Sequence, residues 1–112
     1  MDFKFIYKIC TKNEWIKAKK DGKFLGSDKD LKDGFIHFSD KKQIKDTLNK
    51  YYLKQKDLVI LEVEALKLTN LIYEQSSDGN MFPHLYSELN ISHIYKDYEI
   101  NLNKEGDHIL PF

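Results

Sequence analysis

The chain has 112 residues, enough for one domain, and 41% apolar with 13% aromatic residues gives it the material for an ordinary core rather than disorder. Its eighteen basic residues are all lysine and are matched by eighteen acidic ones, so there is no net field to attract nucleic acid or an anionic membrane. Without arginine, any bound phosphate must meet lysine, backbone N–H groups or hydroxyls rather than a bidentate guanidinium.

Cys10 stands alone, so no internal disulfide forms and no zinc-ligand spacing exists. At a strand end before a helix it reads as a small buried hydrophobe. No apolar run approaches the ~18 residues of a membrane span. Met1-Asp2-Phe3-Lys4 runs into an alternating strand rather than a signal peptide, and a reducing cytoplasm is the expected compartment.

Residues 3–9 alternate. Phe3, Phe5, Tyr7 and Ile9 share one face and Lys4, Ile6 and Lys8 the other, which predicts a half-buried strand. Thr11 and Glu14 form a capping box for a helix through Lys20, with Trp15, Ala18 and the stem of Lys19 inward and Gly22 just past its end. Phe24 to Lys32 reads as a loop with Gly26-Ser27-Asp28 as turn chemistry. A short strand is predicted at 35–38. A second helix follows, starting at Ser39 or Asp40, with Asp40 and Gln43 as its capping box. Ser39 suits an N-cap, and Ile44, Thr47, Leu48 and Tyr51 suit the inner face.

Leu58 to Val63 is a near-continuous apolar run, expected to be a central strand. Leu71 to Glu74 is a further short strand. Residues 76–90 read as a long loop of mixed character, of the kind that often carries function. Residues 91–102 suggest one or two strands, and Ile109 to Phe112 dock back on the domain. Helices early and strands late make an α+β fold, with residues 1–112 as a single domain.

Two histidines have informative contexts. His37 sits in Asp33-Gly34-Phe35-Ile36-His37-Phe38-Ser39-Asp40, at a strand end beside a serine and a new helix. It is either a strand histidine satisfied by a carbonyl or a donor to a ligand hydroxyl, in a place suited to ribose or phosphate. His84 lies in Phe82-Pro83-His84-Leu85-Tyr86, either a ligand wall or a loop anchored by its aromatic neighbours. His93 and His108 read as surface residues. Glu74 is either a solvated strand-end charge or a carboxylate that orients a nucleophile or stabilises a sugar cation. Lys8 is either a solvated edge lysine or a phosphate ligand. No paired histidine spacing supports a metal, and no elbow motif surrounds Ser27, Ser39, Ser76 or Ser77.

These segments together resemble a bacterial family of small proteins, domain-of-unknown-function family 952. The resemblance rests on Ile6-Tyr7-Lys8-Ile9, Glu14-Trp15, Ala18, Gly22, Gly26-Ser27, Asp33 to Ser39, Gln43, Asp57-Leu58-Val59, Tyr73-Glu74 with Ser76, and Phe82 to Tyr86, over about residues 6–95. That family is similar in turn to the ADP-ribosyltransferase-like fold, a split pair of mostly antiparallel sheets around an NAD cleft with two early helices. The nearest likeness is the RNA 2′-phosphotransferase branch.

The resemblance sets Tyr7-Lys8 on a Tyr-His pair and Ile36-His37-Phe38-Ser39 on a Val-His-Leu-Ser segment. It implies NAD or an ADP-ribose-like nucleotide as ligand, with transfer or hydrolysis at the nicotinamide–ribose bond as the reaction. A non-catalytic binding module on the same fold is the alternative. The implied ligand-binding residues are Tyr7, Lys8, His37, Ser39, Phe82, His84 and Tyr86, with Glu74 and His37 as the catalytic pair. Lys8 departs from the expected histidine, and the missing arginines argue against RNA 2′-phosphate as substrate.

Overall fold

The computed structural model describes residues 4–112. Phe3, the expected first residue of the opening strand, lies outside them. The elements in chain order are β1 (Phe5–Thr11), α1 (Lys12–Asp21), β2 (Lys23–Phe24), α2 (Asp28–Asp33), β3 (Ile36–His37), α3 (Ile44–Tyr51), β4 (Leu58–Glu64), β5 (Leu71–Gln75), β6 (Met81–Leu85), β7 (Leu89–Asn90), β8 (Ile94–Leu102) and β9 (His108–Ile109). This is a small mixed domain of several antiparallel sheets and few helices.

Strands β1, β4, β8 and β9 form one antiparallel sheet in that order. Strands β3, β6 and β5 form a second, and β2 pairs with β7. In the larger sheet both central faces are covered. Ile6, Cys10, Val59, Leu61 and Val63 pack with Trp15 and Ala18 of α1. Tyr7, Ile9, Leu58 and Ile60 pack with Ile44 and Leu48 of α3. The alternation of β1 therefore holds, but the strand is buried on both faces rather than half-buried. Every position of β4 from Leu58 to Val63 is buried, as its apolar run requires.

The capping signals are realised. Glu14 N–H donates to Thr11 Oγ1 and Thr11 N–H to Glu14 Oε1, at 3.0 and 2.8 Å. Gly22 closes α1 in the left-handed conformation that an L side chain disfavours. Asp40 N–H donates to Gln43 Oε1 at 2.9 Å, so Asp40, and not Ser39, caps the 3₁₀ turn Lys41–Gln43 that leads into α3. Ser39 instead forms a two-way backbone bridge with Tyr7, N–H to O at 2.8 Å in each direction. That bridge joins the free edge of β1 to the end of β3, and beyond it the two sheets part.

Three further expectations are corrected. Helix α2 occupies most of the predicted loop at 24–32, so the described residues hold three α-helices rather than two. The predicted loop at 76–90 contains strands β6 and β7. Pro83 is tolerated inside β6 because the ladder there takes its carbonyl, which accepts from Phe38 N–H at 3.0 Å. Tyr51 is exposed rather than inward. The tail does dock: the Phe112 ring lies 5.4 Å from Tyr7 and 5.2 Å from Tyr98, centroid to centroid.

Candidate functional site

The smaller sheet has one core face and one open face, set by strand alternation. Ile36, Phe38 and Leu85 enter the core, with Leu71 packed against it. Phe35, His37, Phe82, His84, Tyr86 and Glu74 belong to the other face by register, since His37 pairs with His84 and Glu74 with Phe82. This face, the edge of β1, α2, α3 and the turn after β5 enclose a cavity of about 390 Å³. That size lies within the usual range of small-molecule sites. Tyr7, Lys8, His37, Ser39, Phe82 and His84 line it. Glu74 and Tyr86 do not; they stand behind His84.

Each imidazole on the cavity floor is backed by a carboxylate. His37 Nδ1 lies 2.6 Å from Asp30 Oδ1, and its Nε2 lies 3.0 Å from Asp33 Oδ2. His84 Nδ1 lies 2.8 Å from Glu74 Oε1, which also accepts from the Tyr86 hydroxyl at 2.5 Å. The Tyr86 hydrogen bond first, then that from His84, holds the Glu74 carboxyl below its ordinary range. Phe35 stacks on His84 with ring centroids 4.1 Å apart and tilts against His37 at 4.6 Å. The two imidazole centroids are 5.4 Å apart.

Asp30 is the residue that sequence reasoning missed. It is 2% exposed and meets Lys8, itself 3% exposed, with Nζ to Oδ2 at 2.7 Å. The same carboxylate accepts from the backbone N–H of Ser27 at 2.9 Å and of His37 at 3.1 Å. Burial pushes the Asp30 carboxyl up, but the His37 hydrogen bond and the Lys8 charge outweigh it and hold it far below the usual range. Lys8 is thus a buried, paired cation rather than a solvated edge lysine. The available signal was Ser27-x-x-Asp30 followed by Gly34: Ser27 caps α2 in a reciprocal box with Asp30, and Gly34 ends it at φ 87°. Gly26 is fixed by the same carboxylate, because a Cβ there would sit 2.7 Å from Asp30 Cβ at a φ of 119°.

The remaining predicted residues hold the frame. The Tyr7 hydroxyl donates to Glu62 Oε2 and that of Tyr98 to Glu62 Oε1, both at 2.9 Å. Burial, then the Glu62 hydrogen bond, pushes the Tyr7 hydroxyl well above its ordinary range. Ser39 Oγ lies 3.2 Å from Thr47 Oγ1. Burial pushes the Cys10 thiol up to about 12, which suits a packing role. Among the described residues, no group of three or more His, Cys, Asp or Glu side chains is arranged to hold a metal ion. No helix among them is long and apolar enough to cross a membrane.

A family model described as "Protein of unknown function (DUF952)" matches residues 9–97. The chain belongs to the DUF952 family. This DUF952 domain is similar to the crystal structure of protein CC0527 from Caulobacter crescentus, with 42% identity, a TM-score of 0.88, and coverage of 94% of this chain and 93% of that one. The solution NMR structure of CC0527 matches at 42% identity and a TM-score of 0.83, over 92% and 90% of the two chains. A double-methionine variant of CC0527 gives 40% identity and a TM-score of 0.88 over the same shares as the first. No curated protein matches the DUF952 domain at a significant level.

Proposed function

We propose that the cavity binds a nucleotide of the NAD or ADP-ribose type. The observation that carries this reading is the cavity floor: two imidazoles side by side, each backed by its own carboxylate, with Phe35 stacked on one and Phe82 beside them. Ribose hydroxyls both donate and accept, which imidazole can answer. A nicotinamide or adenine ring takes an aromatic face. Lys50 and Lys29, the latter shared with Asp33, are cations at the cavity wall that can meet phosphate in a chain without arginine. The division of the sheets beyond the Tyr7–Ser39 bridge is compatible with an ADP-ribosyltransferase-like arrangement, the finer fold assignment that belongs with this proposal.

In this reading Phe82, His84 and the floor around His37 and Ser39 meet the ligand. Tyr7 and Lys8 form the back wall, with their polar tips turned to Glu62 and Asp30. Tyr86 and Glu74 act from behind His84. Cleavage at the nicotinamide–ribose bond passes through an oxocarbenium-like state and needs a carboxylate near the ribose. Lys8 does not oppose that charge, because Asp30 neutralises it. One observation favours binding without catalysis: Asp30 has both oxygens committed, and Glu74, itself outside the cavity lining, already accepts from two donors. Nucleotide binding is therefore the primary reading and glycosidic cleavage the secondary one.

The test is thermal melting of the whole chain with NAD, ADP-ribose, nicotinamide and buffer alone. A ligand at about 100 times its dissociation constant adds ~2.7 kcal/mol. A raised midpoint with NAD or ADP-ribose that His84→Ala removes supports the reading. No shift with any of them overturns it. Chromatographic assay of released nicotinamide then separates cleavage from binding alone.

A further inference from the structure

We infer that His84 is the hydrogen-bond acceptor of the cavity, held in its Nδ1–H form by Glu74, and that it selects ligands presenting a hydroxyl or N–H donor. Glu74 is then a positioning residue that acts through His84. The register builds the arrangement. Ile72 lies directly opposite His84, so Glu74, two residues further along β5, is its diagonal neighbour on the same face. Tyr86 follows His84 by two residues, and its hydroxyl meets the same Glu74 oxygen. An ionised carboxylate offers only lone pairs, so the proton in the His84–Glu74 contact belongs to Nδ1. The neutral ring then carries its lone pair on Nε2.

That nitrogen is open to the cavity. Among the described residues, every fully buried side-chain nitrogen or oxygen has a hydrogen-bond partner. His84 Nε2 has none, in a residue only 8% exposed that lines the cavity. Phe35 stacked on one ring face resists a flip that would exchange the two nitrogens, and the flip would also break the Glu74 contact. His37 differs, because its Nδ1 is hydrogen-bonded to Asp30 and a second carboxylate, Asp33, lies against its Nε2. A fixed acceptor in a closed site discriminates against ligands without a donor at that point, since the lone pair is then left unpaired. On the nucleotide reading above, on which this choice of ligand rests, the donor is a ribose hydroxyl.

Long-range proton–nitrogen correlation spectra of the ¹⁵N-labelled whole chain at mildly alkaline pH test the inference, with His84 assigned by its loss in His84→Gln. The expected spectrum has a protonated Nδ1 and a bare Nε2, and Glu74→Ala moves the population toward Nε2–H, the form free histidine prefers in water. A wild-type His84 already in the Nε2–H form, or one indifferent to Glu74→Ala, overturns the inference. ADP-ribose is then added. Support is a displaced Nε2 resonance and affinity about tenfold weaker in Glu74→Ala, the scale of one hydrogen bond, with His84→Gln retaining more affinity than His84→Ala. If ADP-ribose raises the melting midpoint but leaves Nε2 unmoved, the acceptor role fails and the nucleotide reading stands. If the tautomer is as expected but ADP-ribose does not bind, the nucleotide reading fails and the acceptor stands.

Discussion

Two carboxylate–imidazole pairs face each other across β3 and β6, and they are built to opposite ends. Asp30–His37 is closed: a lysine and two backbone N–H groups take up the capacity of its carboxylate, and a second carboxylate lies against the far ring nitrogen. Glu74–His84 is open: its carboxylate sits near solvent, and one ring nitrogen is left without a protein partner. The same chemical pair serves as a structural bolt in one place and as a presented functional group in the other. The difference lies in what surrounds the carboxylate. Asp30 is buried beside a buried ammonium, where every lone pair must be answered. Glu74 lies toward the outer end of a strand, where water answers the remainder.

The largest effect separating the two pairs should follow from Asp30→Ala. It leaves the Lys8 ammonium buried without a counter-charge, for a loss of about 3–5 kcal/mol. That is a large share of the 5–15 kcal/mol typical of a domain. Urea unfolding measures it, and Lys8→Met should cost less, because Asp30 keeps its His37 and Ser27 partners. A smaller loss from Asp30→Ala than from Lys8→Met would break the comparison.

Acid titration gives the next effect. Asp30 has a depressed folded value, so the unfolded chain takes up its proton first as the pH falls below about 3.8, the ordinary aspartate value. Its contribution is fully present above that value and disappears as the pH drops through the folded one. Unfolding free energy followed from neutral pH downward should therefore decline steeply in the wild type and more gently in Asp30→Asn. Parallel slopes would show that Asp30 is not the linked group.

The smallest effect concerns Asp33, whose carboxylate lies 3.0 Å from His37 Nε2 and is itself held by Lys29 at 3.0 Å. Asp33→Ala should leave the melting midpoint unchanged while exposing that nitrogen. Peptide mapping after diethyl pyrocarbonate treatment should then find His37 modified several-fold faster than in the wild type. Equal rates would mean that Asp33 does not close the ring.

Much of this was legible in the chain. The Thr11–Glu14 and Asp40–Gln43 boxes, the apolar run of β4 and the alternation of β1 are local signals, and the fold uses them as written. What was hidden depended on partners distant in sequence. Lys8 looks like an edge lysine until α2 brings Asp30 to it across twenty-two positions. Helix α2 itself reads as a polar loop, because Asp-Lys-Asp-Leu-Lys-Asp has no apolar periodicity and its cap uses aspartate where glutamate or glutamine is usual. Strand β6 was masked by Pro83, a residue that normally argues against an inner strand. The candidate residues His37, His84, Ser39 and Phe82 do gather at one cavity. That Glu74 stands one step behind them required the register of β5 on β6.

Helix α2 forms one wall of the cavity, yet it is only six residues long, too short to hold itself together in water. Its persistence depends on a single carboxylate that ties it to β1 through Lys8 and to β3 through His37. This wall cannot swing as a hinged flap, since any outward motion would draw a buried ion pair apart. The β5–β6 turn at residues 76–80 borders the same cavity and is held by short-range hydrogen bonds within the turn itself, such as Ser76 with Asp78 and Asn80 with Asp78, so it is a part of the rim that can move without breaking that pair.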